Sequence, residues 1–305
     1  MLHRLAPLLC LFALAAQARA EGGIFVGTTP CGAAVRQFLG LPAAGCDLVR
    51  WELSLGLDAK TAQPGPAVAQ VEYGLDGKRL HKLRRPLTWE LGVGAADRKD
   101  AKLVELKRGK ASLKLWKLDD ETLHFLDAKQ RLLVGDADHS YALSVAVVDK
   151  LDASTHSPDS PLPQKALPTG PTVYGVFEGT TPCDIAHALN VDVPADCGKV
   201  RWRVTLYQDA TTRAPTRYLL ESALSRSGPR EGTITLLDGT PFDPLAKVFK
   251  LDVPPALDNV SAVGPAPAPL YLLRGDENVL VFLDGTGKLN LGNRYYNYVL
   301  NRRKS

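Results

Sequence analysis

The sequence predicts an all-β protein made of two tandem copies of one antiparallel unit, and three observations carry that prediction. Residues 23–55, GIFVGTTPCGAAVRQFLGLPAAGCDLVRWELSL, recur as residues 175–206, GVFEGTTPCDIAHALNVDVPADCGKVRWRVTL. Both copies continue into short runs of alternating apolar and polar residues separated by turn signals, the pattern of a meander sandwich or barrel. Each copy also holds one pair of Cys, Cys31 with Cys46 and Cys183 with Cys197. A repeat of this length means two units of one kind, and 305 residues give each unit enough chain for its own core.

The chain opens with Met-Leu-His-Arg, an apolar run from Leu5 to Ala16, and Gln-Ala-Arg-Ala ending at Ala20. This is the order of a cleaved signal peptide, so Glu21 is expected to begin the mature protein. The run is too short to anchor in a bilayer, and Cys10 lacks the small residues that precede a lipidated Cys, so the product is expected to be periplasmic or secreted with no transmembrane anchor. The 37 Lys and Arg, less Arg4 and Arg19, leave 35 against 33 acids. These charges are spread along strands and turns, with no basic patch of the kind that binds nucleic acid. Four Cys in an exported chain read as disulfides, and one pair per copy selects Cys31–Cys46 and Cys183–Cys197. Each bridge closes a loop worth roughly 3 kcal/mol through the unfolded state.

In order, Ile24–Val26 is a strand and the run Gly32–Gly40 a short helix stopped by Gly40 and Pro42. Val49, Trp51, Leu53 and Leu55 then alternate with Arg50, Glu52 and Ser54, a strand buried on one face. Further strands are expected at Ala67–Leu75, Arg79–Leu83, Leu87–Leu91, Lys102–Leu106, Ser112–Leu118, Thr122–Leu126 and Tyr141–Val148. Residues 150–173 hold Pro158, Pro161, Pro163, Pro168 and Pro171 and read as a semi-rigid linker. The expected organisation is therefore a signal peptide at 1–20, repeat 1 at 21–149, the linker at 150–173 and repeat 2 at 174–305. Because each copy has its own Cys pair, the linker is expected to be cuttable without unfolding either half.

The far ends of the copies correspond as well. Leu123-His124-Phe125-Leu126-Asp127, Gly135 and Tyr141-Ala142-Leu143 answer Leu280-Val281-Phe282-Leu283-Asp284, Gly292 and Tyr298-Val299-Leu300. The opening Gly179-Thr180-Thr181-Pro182-Cys183, the closing Leu280–Leu289 and Asn297-Tyr298-Val299-Leu300 resemble the amino-terminal domain of NlpE-type envelope lipoproteins, the copper-resistance lipoproteins. The resemblance covers each repeat end to end. It implies two tandem small antiparallel, lipocalin-like meander β-barrels, each with a short disulfide-bracketed helix, at the cell envelope and linked to envelope stress or metal response. Two departures limit what is carried over: the second Cys lies beyond the helix instead of in a Cys-x-x-Cys, and no lipobox is present.

The chemistry-bearing residues favour a binding or interaction protein over an enzyme. No nucleophile elbow, P-loop, zinc-protease helix or dinucleotide fingerprint occurs. Asp127 and Asp284 recur at the first position of a turn, where an Asx hydrogen bond explains them, and Trp51 and Trp202 are expected to fill the cores. No cofactor is expected. The alternative is a metal-handling protein binding copper, or a thiol-redox protein, using the paired Cys; Met1 is the sole methionine, so Cu(I) would have few soft ligands. The large asymmetry between the copies is residues 253–269, with Pro254, Pro255, Pro265, Pro267 and Pro269, which is the candidate loop for an envelope protein or small-ligand partner.

Overall fold

A computed structural model describes residues 22–147, 162, 165–189, 197–223, 228–254 and 268–303. Repeat 1 forms β1 (Gly23–Pro30), α1 (Ala33–Leu39), β2 (Leu48–Leu57), β3 (Pro64–Gly74), β4 (His81–Val93), β5 (Lys102–Arg108), β6 (Ala111–Lys117), β7 (Thr122–Phe125) and β8 (Ala142–Val145). Neighbouring strands pair antiparallel in sequence order, and β8 returns to β1 through Phe25↔Val145 and Val26↔Ser144, closing the barrel. Repeat 2 gives β9 (Val173–Thr181), α2 (Asp184–Ala188), β10 (Val200–Gln208), β11 (Pro215–Ser222), β12 (Arg230–Asp238), β13 (Lys247–Leu251), β14 (Leu270–Arg274), β15 (Val279–Leu283) and β16 (Val299–Arg302). It closes in the same way, by β16 on β9.

The fold class follows the expectation, with one local difference. Arg79–Leu83 and Leu87–Leu91 are not two strands but parts of the single strand β4, which runs through Pro86. That half of β4 pairs with β3 alone, β5 joining only at Thr88, so a residue without an N–H is tolerated there. Helix α1 ends as expected at Gly40, whose φ of 70° is the left-handed conformation that glycine reaches without cost.

Trp51 is 1 % exposed and Trp202 fully buried, each at the centre of its own apolar cluster. Trp51 packs on Phe125 with ring centroids 5.2 Å apart, and Trp202 on Phe282 at 6.4 Å. An eight-stranded interior is narrow enough for side chains to fill, though it can also hold one small ligand. An indole N–H taken inside must be satisfied, and it donates to Thr29 Oγ1 at 3.0 Å in repeat 1 and to Thr181 Oγ1 at 2.9 Å in repeat 2.

This explains the repeated Gly-Thr-Thr-Pro-Cys. A Cβ on Gly27 would stand 2.7 Å from the Ala142 carbonyl oxygen, so only glycine lets β8 approach β1 there. The first Thr faces the other repeat, the second holds the tryptophan, and the Cys ties the strand end to the segment beyond the helix. Cys31 is bonded to Cys46 and Cys183 to Cys197, with Cα–Cα distances of 5.7 and 5.9 Å. Asp127 and Asp284 are turn residues: each carboxylate accepts two backbone N–H groups, from Lys129 and Arg131 and from Thr286 and Lys288.

A third apolar cluster lies between the barrels and was not expected from the sequence. It joins Leu103, Trp116, Leu126, Leu132 and Ala142 of repeat 1 to Val248, Val281, Leu283, Leu289 and Val299 of repeat 2. Each barrel has its own core, and the two also meet at this seam. Part of the linker also packs on repeat 2, where Lys165 pairs with Glu221 at 2.8 Å and the Pro171 carbonyl accepts from Gln208.

His124 faces the seam, because its neighbours Leu123 and Phe125 point into barrel 1 while its cross-strand partners Trp116 and Ala142 belong to the seam cluster. Its Nδ1–H donates to the Phe125 carbonyl at 3.0 Å, and its Nε2 is buried without a hydrogen-bond partner. Burial pushes this imidazole down to about 4. An unfolded His takes up its proton near 6.5, so this contribution to stability is full above pH 6.5 and is lost as pH falls towards 4, on the order of 3 kcal/mol. The variant His124→Val, copying Val281 of repeat 2, is expected to flatten the pH dependence of urea denaturation across that window. An unchanged slope would assign the effect to another group.

Candidate functional site

Trp51 and Trp202 occupy the barrel centres, and the larger of two spaces described outside them is a cleft of about 710 Å³ beside the seam. Such a volume at an interface between two units is of the size and place of ligand sites. Barrel 1 contributes the start of β1 at Gly22, Gly23 and Phe25, Trp116 on β6, and the turn from β6 to β7 at residues 117–121. Barrel 2 contributes Thr240, Phe242 and Pro244 from the loop between β12 and β13, Leu273 on β14, and the turn at Gly287–Leu289.

Its chemistry is an apolar wall with paired charges at the rim. Lys117 meets Asp120 at 2.7 Å and Lys288 meets Glu121 at 3.5 Å across the seam. Arg98 pairs with Asp100 at 2.9 Å and with Asp243 of the other repeat at 3.0 Å. Phe242 is 58 % exposed with the Lys288 ammonium 5.9 Å from its ring centroid. Asp119 turns inward, and burial raises its carboxyl above the usual range although the Glu121 and Thr122 backbone N–H groups oppose this. Balanced charge of this kind does not suit a polyanion. It suits an amphipathic group with little net charge, such as a peptide segment.

The two sides of the seam differ at one pair of equivalent positions that lines this cleft. Position 118 is Leu in repeat 1, and its equivalent in repeat 2 is Gly275. A Cβ at Gly275 would stand 2.7 Å from Leu132 Cδ1, so on that side Leu132 packs directly on the glycine backbone. On the other side Leu118 and Leu289, the equivalents of those two, line the opening instead.

A second space of about 460 Å³ lies over β9 and β10, lined by Arg201, Arg203, Arg303, Lys165 and Glu178. Its cations are already partnered: Arg201 with Asp138, Arg203 with Glu178 at 2.6 Å, Arg303 with Glu178 at 3.2 Å and Lys165 with Glu221. It offers an anion nothing that Glu178 and Glu221 do not already occupy.

The residues singled out in the sequence lie elsewhere. Cys31, Cys46, Cys183 and Cys197 are all bonded, and among the described residues no group of three or more His, Cys, Asp and Glu could hold a metal ion. Among the described residues no donor set fits copper. Of the proline loop, Pro255, Pro265 and Pro267 fall outside the described residues; Pro254 and Pro269 are exposed. Those two anchors stand after β13 and before β14, at the opposite end of β13 from the cleft loop. Trp116, Phe242 and Lys288 were not singled out, since none sits in a recognisable motif; the one local hint was an aromatic residue flanked by Pro241 and Pro244 in a surface turn.

No protein-family model matches the chain, and none of the curated proteins does. Among the described residues no helix is long and apolar enough to cross a membrane.

The broken symmetry can be checked by stability. Gly275→Leu gives repeat 2 the residue of repeat 1 and drives it into Leu132. A loss of about 1–3 kcal/mol is expected from overpacking, read as a lower denaturation midpoint. A neutral result would mean that the closed side has slack and that this glycine does not decide which side opens.

Proposed function

We propose that this chain is an exported cell-envelope binding protein of the NlpE-like type, linked to envelope stress or metal response, which engages an envelope protein or small ligand through the cleft beside the seam. The observation that carries this reading is the cleft of about 710 Å³ between two barrels whose centres are occupied by Trp51 and Trp202. The amino-terminal pattern ending at Ala20 supports export to the periplasm or beyond, and so do the two disulfides. The role is recognition without catalysis. The side chains around the cleft are committed to ion pairs and turns, and none is arranged as a nucleophile beside a base. The metal-handling and thiol-redox alternative loses ground because Cys31 and Cys183 are 4 % and 5 % exposed within their bridges.

The test is native mass spectrometry of the protein purified from its own envelope, alongside the variant Phe242→Asp. Phe242 is exposed, so its replacement should change stability by no more than about 0.5 kcal/mol. The wild type is expected to carry a bound mass that Phe242→Asp loses. Equal retention by both proteins would remove the cleft from consideration and return attention to the proline loop.

A further inference from the structure

The barrels meet so that equivalent positions of the two repeats face each other. Thr28 Oγ1 donates to the Arg294 carbonyl at 2.8 Å, and its equivalent Thr180 donates to the carbonyl of Ala137, the equivalent of Arg294, at 2.9 Å. The Gly135 N–H donates to Asn301 Oδ1 at 2.8 Å, and Gly292 N–H to Ser144 Oγ at 3.1 Å, again with both residues exchanged. Arg50 lies 4.6 Å from the Tyr295 ring centroid, and its equivalent Arg201 pairs with Asp138, the equivalent of Tyr295. Three contacts fall between a position and its own equivalent: Ser140 with Asn297 at 2.7 Å, the stacked rings of His139 and Tyr296 at 6.1 Å, and Arg98 with Asp243. Reciprocal contacts flanking self-paired ones are the pattern of a two-fold, isologous interface.

All three self-paired positions carry unlike residues, and one of them carries opposite charges. Arg98 reaches Asp243 through two nitrogens, at 3.0 and 3.3 Å. If repeat 1 met another repeat 1 in this geometry, Arg98 would face Arg98. If repeat 2 met repeat 2, Asp243 would face Asp243. The side chains of Arg98 and Asp243 are only 22 % and 30 % exposed, so water screens such a like-charge contact weakly. No strand is shared between the barrels, so side chains and short backbone contacts make the whole seam.

We infer that the seam is a self-contained recognition surface whose partner is the opposite repeat, on the same chain or on a second copy of this chain, and that it rejects its own kind. The tether keeps the opposite repeat of the same chain at high effective concentration, so the intact chain satisfies its seam internally. Once the tether is cut, repeat 1 of one copy accepts repeat 2 of another.

The experiment places a specific protease site among residues 150–160 of the full chain and cleaves the folded protein. Two preparations, one of them isotopically labelled, are cleaved and mixed at micromolar concentration. Native mass spectrometry is expected to show one-to-one pairs of repeat 1 with repeat 2, including pairs of mixed label, and no repeat 1 or repeat 2 homodimers. Arg98→Asp, and separately Asp243→Arg, should weaken the cleaved pair by at least about tenfold, and the double charge swap should restore it. Tryptophan fluorescence from Trp51 and Trp202 reports that both barrels remain folded. Separation of the cleaved wild-type halves, homodimers in either preparation, or a double swap no tighter than the single variants would each overturn the inference.

Discussion

The structure depends on a hydrogen bond made twice: an indole N–H in the middle of a closed barrel, accepted by a threonine hydroxyl on the neighbouring strand. Tryptophan fills an eight-stranded interior more completely than any other side chain, but its N–H cannot be left unpaired there. The threonine that meets this need occupies one position in the strand. The glycine two residues before it and the cysteine two residues after it are then placed by the same backbone. One admits the closing strand; the other anchors the bridge that brings the chain back to the tryptophan strand.

A filled barrel has a consequence for function. A lipocalin-like fold usually suggests a ligand in the barrel, but here that space is spent on Trp51, Phe125 and their equivalents. On the binding role proposed here, recognition falls to the outer surface, which is itself partly taken up by the seam. What remains is the place where the two-fold relation fails. Gly275 and Leu132 close one side, while Leu118 and Leu289 hold the other open. The repeats are alike enough to dock symmetrically and different enough to leave a cleft where Leu118 and Leu289 meet the seam.

Much of this was legible in the residues. Alternation gave the inward face of β2, and the pairing of Cys followed from one pair per repeat. The seam had a visible signal that alternation arguments pass over. Val279–Leu283 is apolar at every position and buried on both faces, unlike the half-polar β2. A short continuous apolar strand at a repeat's end means that its outer face is covered by something. His124, in the equivalent strand of repeat 1, hid the same message behind a polar residue that turns out to be fully buried.

By itself the sequence determined the fold class, the repeat, the tryptophan cores and the turn role of Asp127 and Asp284, because each follows from contacts close in sequence or from a period of two. Only the tertiary structure decided that β4 is one strand, that the two barrels, each with its own core, meet at a seam, and that Trp116, Phe242 and Lys288 gather at one opening. These depend on which surfaces of two separately closed barrels come together. That choice is made by shape and charge spread over positions far apart in the chain, such as Arg98 with Asp243 and Thr28 with Arg294, and no local pattern encodes it.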